Sequence, residues 1–231
     1  MSLRAHKFWA EFIGTFFLVF VGCGSVRMGE IYGVADIPVP VVFGLVVAIM
    51  IYAVGHISGA HFNPAVTLAF TVARHFPLKQ LPIYWVAQYS GAMAACGVMA
   101  ALMPGSENFA ATVPATSWLM ALGWEFVLTF LLMFVIIAVA TDTRAVGMMA
   151  GVAIGSAVMV GAWLGGAVTG ASMNPARSFG PNLFQGEMLV WWIYLLGPSL
   201  GAMAAAWCYE KIRCDLPNTD SEGGGPKHGC C

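Results

Sequence analysis

The tripeptide Asn-Pro-Ala occurs twice, and its residue types suit the start of a helix that presents a hydrogen-bond donor. The copies are Asn63-Pro64-Ala65 and Asn174-Pro175-Ala176. Asn is a preferred helix N-cap and Pro fits the first helical position, while the Asn side-chain amide can donate to a passing oxygen. One copy would be a chance tripeptide at a loop corner. Two copies predict a pair of functional helix starts.

Three charged residues lie in otherwise apolar stretches: Arg177, which directly follows the second motif, and Glu11 and Glu125. An arginine at bilayer depth costs roughly 2.5–3.5 kcal/mol on insertion scales and usually marks a pathway. The alternative is a structural charge paired with Glu125 or Glu11. We interpret the two acids as hydrogen-bond acceptors that brace the loops before the two motifs. His56 is interpreted as a core histidine rather than a ligand.

The composition predicts that membrane-spanning helices position these groups. The chain has 231 residues, of which 59% are hydrophobic and 9% charged, whereas soluble domains are roughly a quarter charged. This excludes a soluble globule, a disordered chain and a nucleic-acid-binding protein. A spanning helix needs about 20 mostly apolar residues. Six stretches qualify: 8–26, 38–54, 81–103, 117–141, 145–167 and 188–209.

The two halves of the chain repeat each other. The stretch 58–65 recurs at 169–176, the sequence Gly-Ala-Met-Ala-Ala recurs at 91–95 and 201–205, and Glu11-Phe12 recurs as Glu125-Phe126. Each unit holds three spans, so the second inserts upside down relative to the first. The result is an inverted repeat with its pseudo-two-fold axis in the membrane plane.

Each motif opens a run that is too short to cross a membrane, over 63–73 and 174–184. About 10 residues at ~1.5 Å each reach only ~15 Å, half of a bilayer. We therefore predict two half-helices whose Asn residues meet near the midplane. Their N-termini would place about half a positive charge each at the centre, which disfavours cations.

The paired motifs, the six spans, and the continuations Ala65-Val66-Thr67 and Ala176-Arg177-Ser178 closely resemble the aquaporins, or major intrinsic proteins. The resemblance implies a passive channel for water that excludes protons and ions. It also implies a homotetramer with one pore per subunit. The channel domain would cover residues 1–213, with repeats at about 8–103 and 117–209. The polar stretch 214–231 would be a disordered cytoplasmic tail.

The same resemblance implies a selectivity filter of Phe43, Ala162, Ala171 and Arg177. Strict water channels of the family usually carry His at the position of Ala162. This filter is therefore expected to be wider and less polar than theirs, passing glycerol, urea or metalloid acids as well as water. Ser178 and Tyr194 resemble water-channel markers instead, so a strictly water-selective channel stays open. Backbone carbonyls of the loops before the motifs would line the pore, at Gly59, Ala60, His61, Gly170, Ala171 and Ser172.

The positive charges predict the orientation, because cytoplasmic segments are enriched in Lys and Arg. With both termini inside the cell, the outer loops carry only Arg27. The inner segments carry the remaining basic residues apart from Arg177, namely Arg4, Lys7, Arg74, Lys79, Arg144, Lys211, Arg213 and Lys227. We expect a multi-pass protein of the cell membrane, surrounded by lipid.

Two other function classes fit less well. An ion-coupled transporter also uses inverted repeats and broken helices, but it needs titratable relay groups near the midplane, and Glu11 and Glu125 are assigned to the loops. An intramembrane enzyme would need a converging set of catalytic side chains, and none is visible in the sequence. No cofactor and no metal site are expected.

Overall fold

The computed structural model describes residues 2–34, 37–142, 145 and 147–213, and within these ranges every regular element is helical. The elements are α1 (Leu3–Tyr32), α2 (Val39–Ser58), α3 (Pro64–Val72), α4 (Leu81–Leu102), α5 (Trp118–Thr141), α6 (Ala150–Thr169), α7 (Pro175–Gln185) and α8 (Trp191–Ile212). Single 3-10 turns precede α4, α6 and α8. The predicted tail over 214–231 lies outside the described residues.

Six of these helices are long and apolar enough to cross a membrane: α1, α2, α4, α5, α6 and α8, with the 3-10 turns included. The predicted six-span architecture is thus confirmed. Because six crossings return the chain to its starting side, the beginning of α1 and the end of α8 share one face, here named the terminal face. The opposite face, where α1 ends and α2 begins, is named the filter face.

The first two helices run further than predicted. Helix α1 continues to Tyr32, because Gly33 then adopts the left-handed conformation (φ 64°) that ends a helix. Arg27, expected in an outer loop, therefore lies on α1 and is buried. Helix α2 continues to Ser58 and ends at left-handed Gly59, which adds a turn that carries His56.

The two half-helices begin where the motifs place them. Helix α3 is capped by Asn63, whose Oδ1 accepts from the Ala65 N–H at 2.9 Å. Helix α7 is capped by Asn174, whose Oδ1 accepts from the N–H groups of Ala176 at 3.0 Å and Arg177 at 3.2 Å. At ~1.5 Å per residue neither helix spans a bilayer.

Glycines let the helices of the two repeats approach in matching pairs. A Cβ on Gly44 of α2 would lie 2.5 Å from the Gly155 carbonyl oxygen of α6, and a Cβ on Gly155 would lie 2.5 Å from that of Gly44. Gly91 of α4 packs in the same way on the Phe12 carbonyl of α1, and Gly201 of α8 on that of Phe126 in α5. Small residues allow such backbone contact between membrane helices. The contact of Gly91 with Phe12 in the first repeat is thus equivalent to that of Gly201 with Phe126 in the second.

Candidate functional site

The two motif asparagines are held at the junction of the half-helices by reciprocal hydrogen bonds. Asn63 Nδ2 donates to the Met173 carbonyl at 2.7 Å, and Asn174 Nδ2 donates to the Phe62 carbonyl at 2.8 Å. Each oxygen caps its own helix, so each amide is fixed in orientation. Both residues line the same cavity. A fixed amide has a second N–H, which can serve as a donor to a molecule in that cavity.

The loops before the asparagines share a backbone conformation that residues other than glycine rarely adopt. In the first loop φ is 89° at Gly59, 51° at Ala60 and 50° at Phe62. In the second loop φ is 79° at Gly170, 42° at Ala171 and 52° at Met173. Left-handed backbone at a non-glycine residue costs of order 1–3 kcal/mol and persists only when its surroundings hold it. Both loops line the cavity.

Glu11 holds the first loop. Its carboxylate is fully buried and accepts from the N–H groups of His61 at 3.0 Å and Phe62 at 2.7 Å. Two side chains also donate to it, the Ser58 hydroxyl at 2.7 Å and the Gln88 amide at 2.8 Å. These bonds occupy the loop N–H groups beside the left-handed residues.

Glu125 holds the second loop in the equivalent way. It is also fully buried and accepts from the N–H groups of Ser172 at 2.9 Å and Met173 at 2.8 Å, and from the Thr169 hydroxyl at 2.7 Å. Neither Glu11 nor Glu125 is among the residues that line the cavity. Among the described residues that line the cavity there is thus no carboxylate relay, which weighs against a coupled transporter.

The four expected filter residues lie around the filter-face part of the cavity. Phe43 of α2, Ala162 of α6, Ala171 and Arg177 all line it. The Arg177 guanidinium carbon lies 5.1 Å from the centroid of the Phe43 ring, and Arg177 Nη1 donates to the Ala110 carbonyl at 2.8 Å. Within the described part of the chain Arg177 forms no salt bridge with Glu11 or Glu125. The alternative of a structural ion pair is not observed.

The cavity has a volume of about 1020 Å³ and reaches from the filter residues past both motifs towards the terminal face. His61 lines it, with its ring stacked on Phe70 and its Nδ1 3.1 Å from Thr67 Oγ1. His56 lines it as well and is exposed. The prediction of a core histidine is therefore wrong, because the added turn of α2 carries His56 to the cavity wall.

The supposed water-channel markers do not face the cavity. Tyr194 is fully buried and its hydroxyl donates to the Thr169 carbonyl at 2.7 Å. Ser178 is fully buried and contacts the hydroxyls of Thr112 and Ser172. Both bond to the second loop without lining the cavity, so they affect a permeating molecule only through the position of that loop.

The sequence did not reveal that Ala110 belongs to the site. It lies in the connection between α4 and α5, has left-handed φ of 57° and lines the cavity. Its contribution is a backbone carbonyl, which any residue could supply. No side-chain pattern could have marked it.

The structure combines six spanning helices, two half-helices that meet at their N-termini, and a cavity that the two motif loops line. Non-helical chain is tolerated within a membrane only where it lines a cavity or is buried in protein. Together these features define a membrane channel. The "Major intrinsic protein" family model matches residues 2–209. The chain belongs to this family.

Related proteins agree with the architecture. Nodulin-26 of Glycine max is 51% identical over 211 residues, which are 90% of this chain and 78% of the relative. Aquaporin NIP1-1 of Oryza sativa subsp. japonica is 50% identical, covering 90% of this chain and 74% of the relative. The aquaglyceroporin of Plasmodium falciparum superposes with a TM-score of 0.82 at 25% identity, covering 90% of this chain and 96% of that structure. The protein is thus a channel for water and small neutral solutes, and not an enzyme.

Proposed function

We propose that the channel is a passive pore whose selectivity is set by Phe43, Ala162, Ala171 and Arg177, and that it passes glycerol, urea or undissociated metalloid acids in addition to water. The observation that carries this proposal is the pairing of two alanines with Arg177 and Phe43 around the cavity. Their methyl groups leave space and offer no polar atom. One charged and one aromatic side chain then bound the opening.

The two motifs would select against ions at the centre. The N-termini of α3 and α7 contribute about half a positive charge each, and Asn63 and Asn174 each present an amide in a fixed orientation. A permeating oxygen that accepts from these donors is held in an orientation unsuited to relaying a proton. Cations, including hydronium, meet a repulsive field. Neutral molecules are much less affected by that field.

The loop carbonyls would complete the pathway. The cavity is lined by the loop residues Gly59, Ala60, His61, Gly170, Ala171 and Ser172, and we propose that their backbone carbonyls face the permeating molecule. Glu11 and Glu125 bind the N–H groups of these loops, so the carbonyls stay available to a solute. In this proposal both acids are structural, and neither gains nor loses a proton during conduction.

The subunits would assemble as a homotetramer in the cell membrane, with both termini cytoplasmic. The described basic residues of the terminal face support this orientation, namely Arg4, Lys7, Arg74, Lys79, Lys211 and Arg213. On the outward surfaces, large apolar side chains such as Ile49 (61% exposed) and Trp163 (70% exposed) can contact lipid or a neighbouring subunit.

The wide filter is tested by the substitution Ala162→His. An imidazole at this position adds bulk and a polar group opposite Arg177. We expect glycerol permeability to fall on the order of tenfold, an increase of about 1.4 kcal/mol in the barrier, while water permeability is largely kept. The measurement is stopped-flow light scattering on proteoliposomes in sucrose, glycerol and urea gradients.

Ala162→Ser is the matched control, since it adds a hydroxyl without the bulk and should keep the wild-type ratio of glycerol to water permeability. A wild-type protein that already excludes glycerol and urea as well as Ala162→His does would overturn the wide-filter proposal. The protein would then be a strict water channel.

A further inference from the structure

Among the described residues, the Arg177 side chain has one hydrogen-bond acceptor, the Ala110 carbonyl, and this carbonyl lies in a segment with little regular structure of its own. Arg177 donates to Ala110 at 2.8 Å. Ala110 adopts φ of 57°, a conformation that an alanine keeps only when neighbouring contacts hold it. The position of Arg177 therefore depends on whatever holds residues 108–111.

On one side, this segment is held by Arg27 at the filter-face end of α1. Arg27 is only 3% exposed. Its Nε donates to the Met103 carbonyl at 2.9 Å and its Nη1 to the Asn108 carbonyl at 3.1 Å. Its guanidinium lies 4.3 Å from the centroid of the Phe109 ring. One buried cation thus fixes the two residues that precede Ala110.

On the other side, the segment is held by Gln185 at the end of α7, the half-helix that carries Arg177 in its first turn. Gln185 Oε1 accepts from the N–H groups of Phe109 at 3.0 Å and Ala111 at 3.2 Å, the two neighbours of Ala110. The carbonyl that binds Arg177 is therefore held between α1 and α7.

We propose that Arg27 is a positioning residue for the selectivity filter, which together with Gln185 holds the Ala110 carbonyl where it keeps Arg177 against the pore wall. This inference rests on the proposed filter role of Arg177. Without the carbonyl, the guanidinium is left among Phe43, Ala162 and Ala171, none of which offers it a side-chain acceptor. It then turns towards the water in the lumen and narrows the opening, which hinders a larger solute more than water.

The test is the ratio of glycerol to water permeability in proteoliposomes. In Arg27→Met the side chain keeps its length and loses both donors, so the ratio should fall by about fivefold, since charge-assisted hydrogen bonds are the stronger class. Arg27→Lys keeps a cation that can reach the carbonyls and should restore much of the ratio. Gln185→Leu, an exposed site, should lower the ratio in the same direction and decides the question if Arg27→Met does not fold.

Ser25→Ala is the matched control. Ser25 lies near Arg27 on α1, and its hydroxyl donates to the Gly22 carbonyl of the same helix at 2.7 Å, so its hydrogen bond stays within α1. Its ratio should equal that of the wild type. Equal losses of water and glycerol flux in Arg27→Met, or an unchanged ratio in the folded Arg27 and Gln185 variants, would overturn the proposal.

Arg177→Val separates this inference from the function on which it rests. If Arg177→Val leaves the ratio unchanged, the filter assignment itself fails. If Arg177→Val changes the ratio while Arg27→Met and Gln185→Leu do not, only the positioning role is refuted.

Discussion

Replacing Glu125 tests whether a buried carboxylate holds the second motif loop. In Glu125→Leu the N–H groups of Ser172 and Met173, now bonded at 2.9 and 2.8 Å, lose their acceptor. A buried donor left unpaired costs about 1–3 kcal/mol, so the two N–H groups together cost about 2–6 kcal/mol, to which the loss of the Thr169 hydroxyl's bond at 2.7 Å adds. In Glu125→Gln the amide oxygen can still accept one of the two, and the loss should be about half as large.

The assay is thermal unfolding of the purified protein in detergent, followed by osmotic water permeability per folded molecule. At about 2–4 °C per kcal/mol for a chain of this length, Glu125→Leu should lower the apparent Tm by about 10 °C. Water permeability should fall as well, because left-handed Ala171 and Met173 flank the donor of Ser172 and relax when it is released.

Glu107, which is exposed, provides the matched control through Glu107→Leu and Glu107→Gln, both expected to unfold like the wild type. A Glu125→Leu protein that unfolds at the temperature of Glu107→Leu and conducts normally would refute the bracing role. Equal destabilisation by Glu125→Leu and Glu125→Gln would also refute it, because the predicted order of stability follows from the number of acceptor oxygens left at residue 125.

Two further variants probe the pore centre and the helix contacts. Asn174→Asp adds a negative charge where both half-helix N-termini point, so it should admit cations or disturb folding. Proteoliposomes that contain the wild type should shrink in hyperosmolar sucrose without losing an imposed pH gradient. A folded Asn174→Asp protein with normal water flux and no cation leak would contradict this. Gly155→Val forces its Cβ onto the Gly44 carbonyl and should abolish expression of a protein that stays folded in detergent. Gly123→Val is the control: a Cβ there meets open space on α5, so this variant should behave as the wild type. Equal expression of the two variants would remove the close-packing argument.

The helices, the half-helices and the inverted repeat were readable from the sequence, because each depends on local patterns. Twenty apolar residues in a row can only be buried in lipid or protein, and Asn followed by Pro marks a helix start whatever surrounds it. Helix ends were less well determined. The left-handed Gly33 and Gly59 end α1 and α2 later than hydrophobicity alone predicted. As a result, Arg27 and His56 lie on these helices and not in the loops that follow the predicted spans.

Only the tertiary structure decided which groups hold the site. The partners of Arg177, Asn63 and Asn174 are backbone carbonyls of Ala110, Met173 and Phe62. Every residue has such a carbonyl, so the side-chain sequence carries no sign of which one will be used. The choice is made by the folding of distant segments against one another, as when α1 supplies Arg27 to hold a segment some eighty residues further along. A sequence specifies which side chains can donate, and the packing of the helices specifies which acceptors they meet.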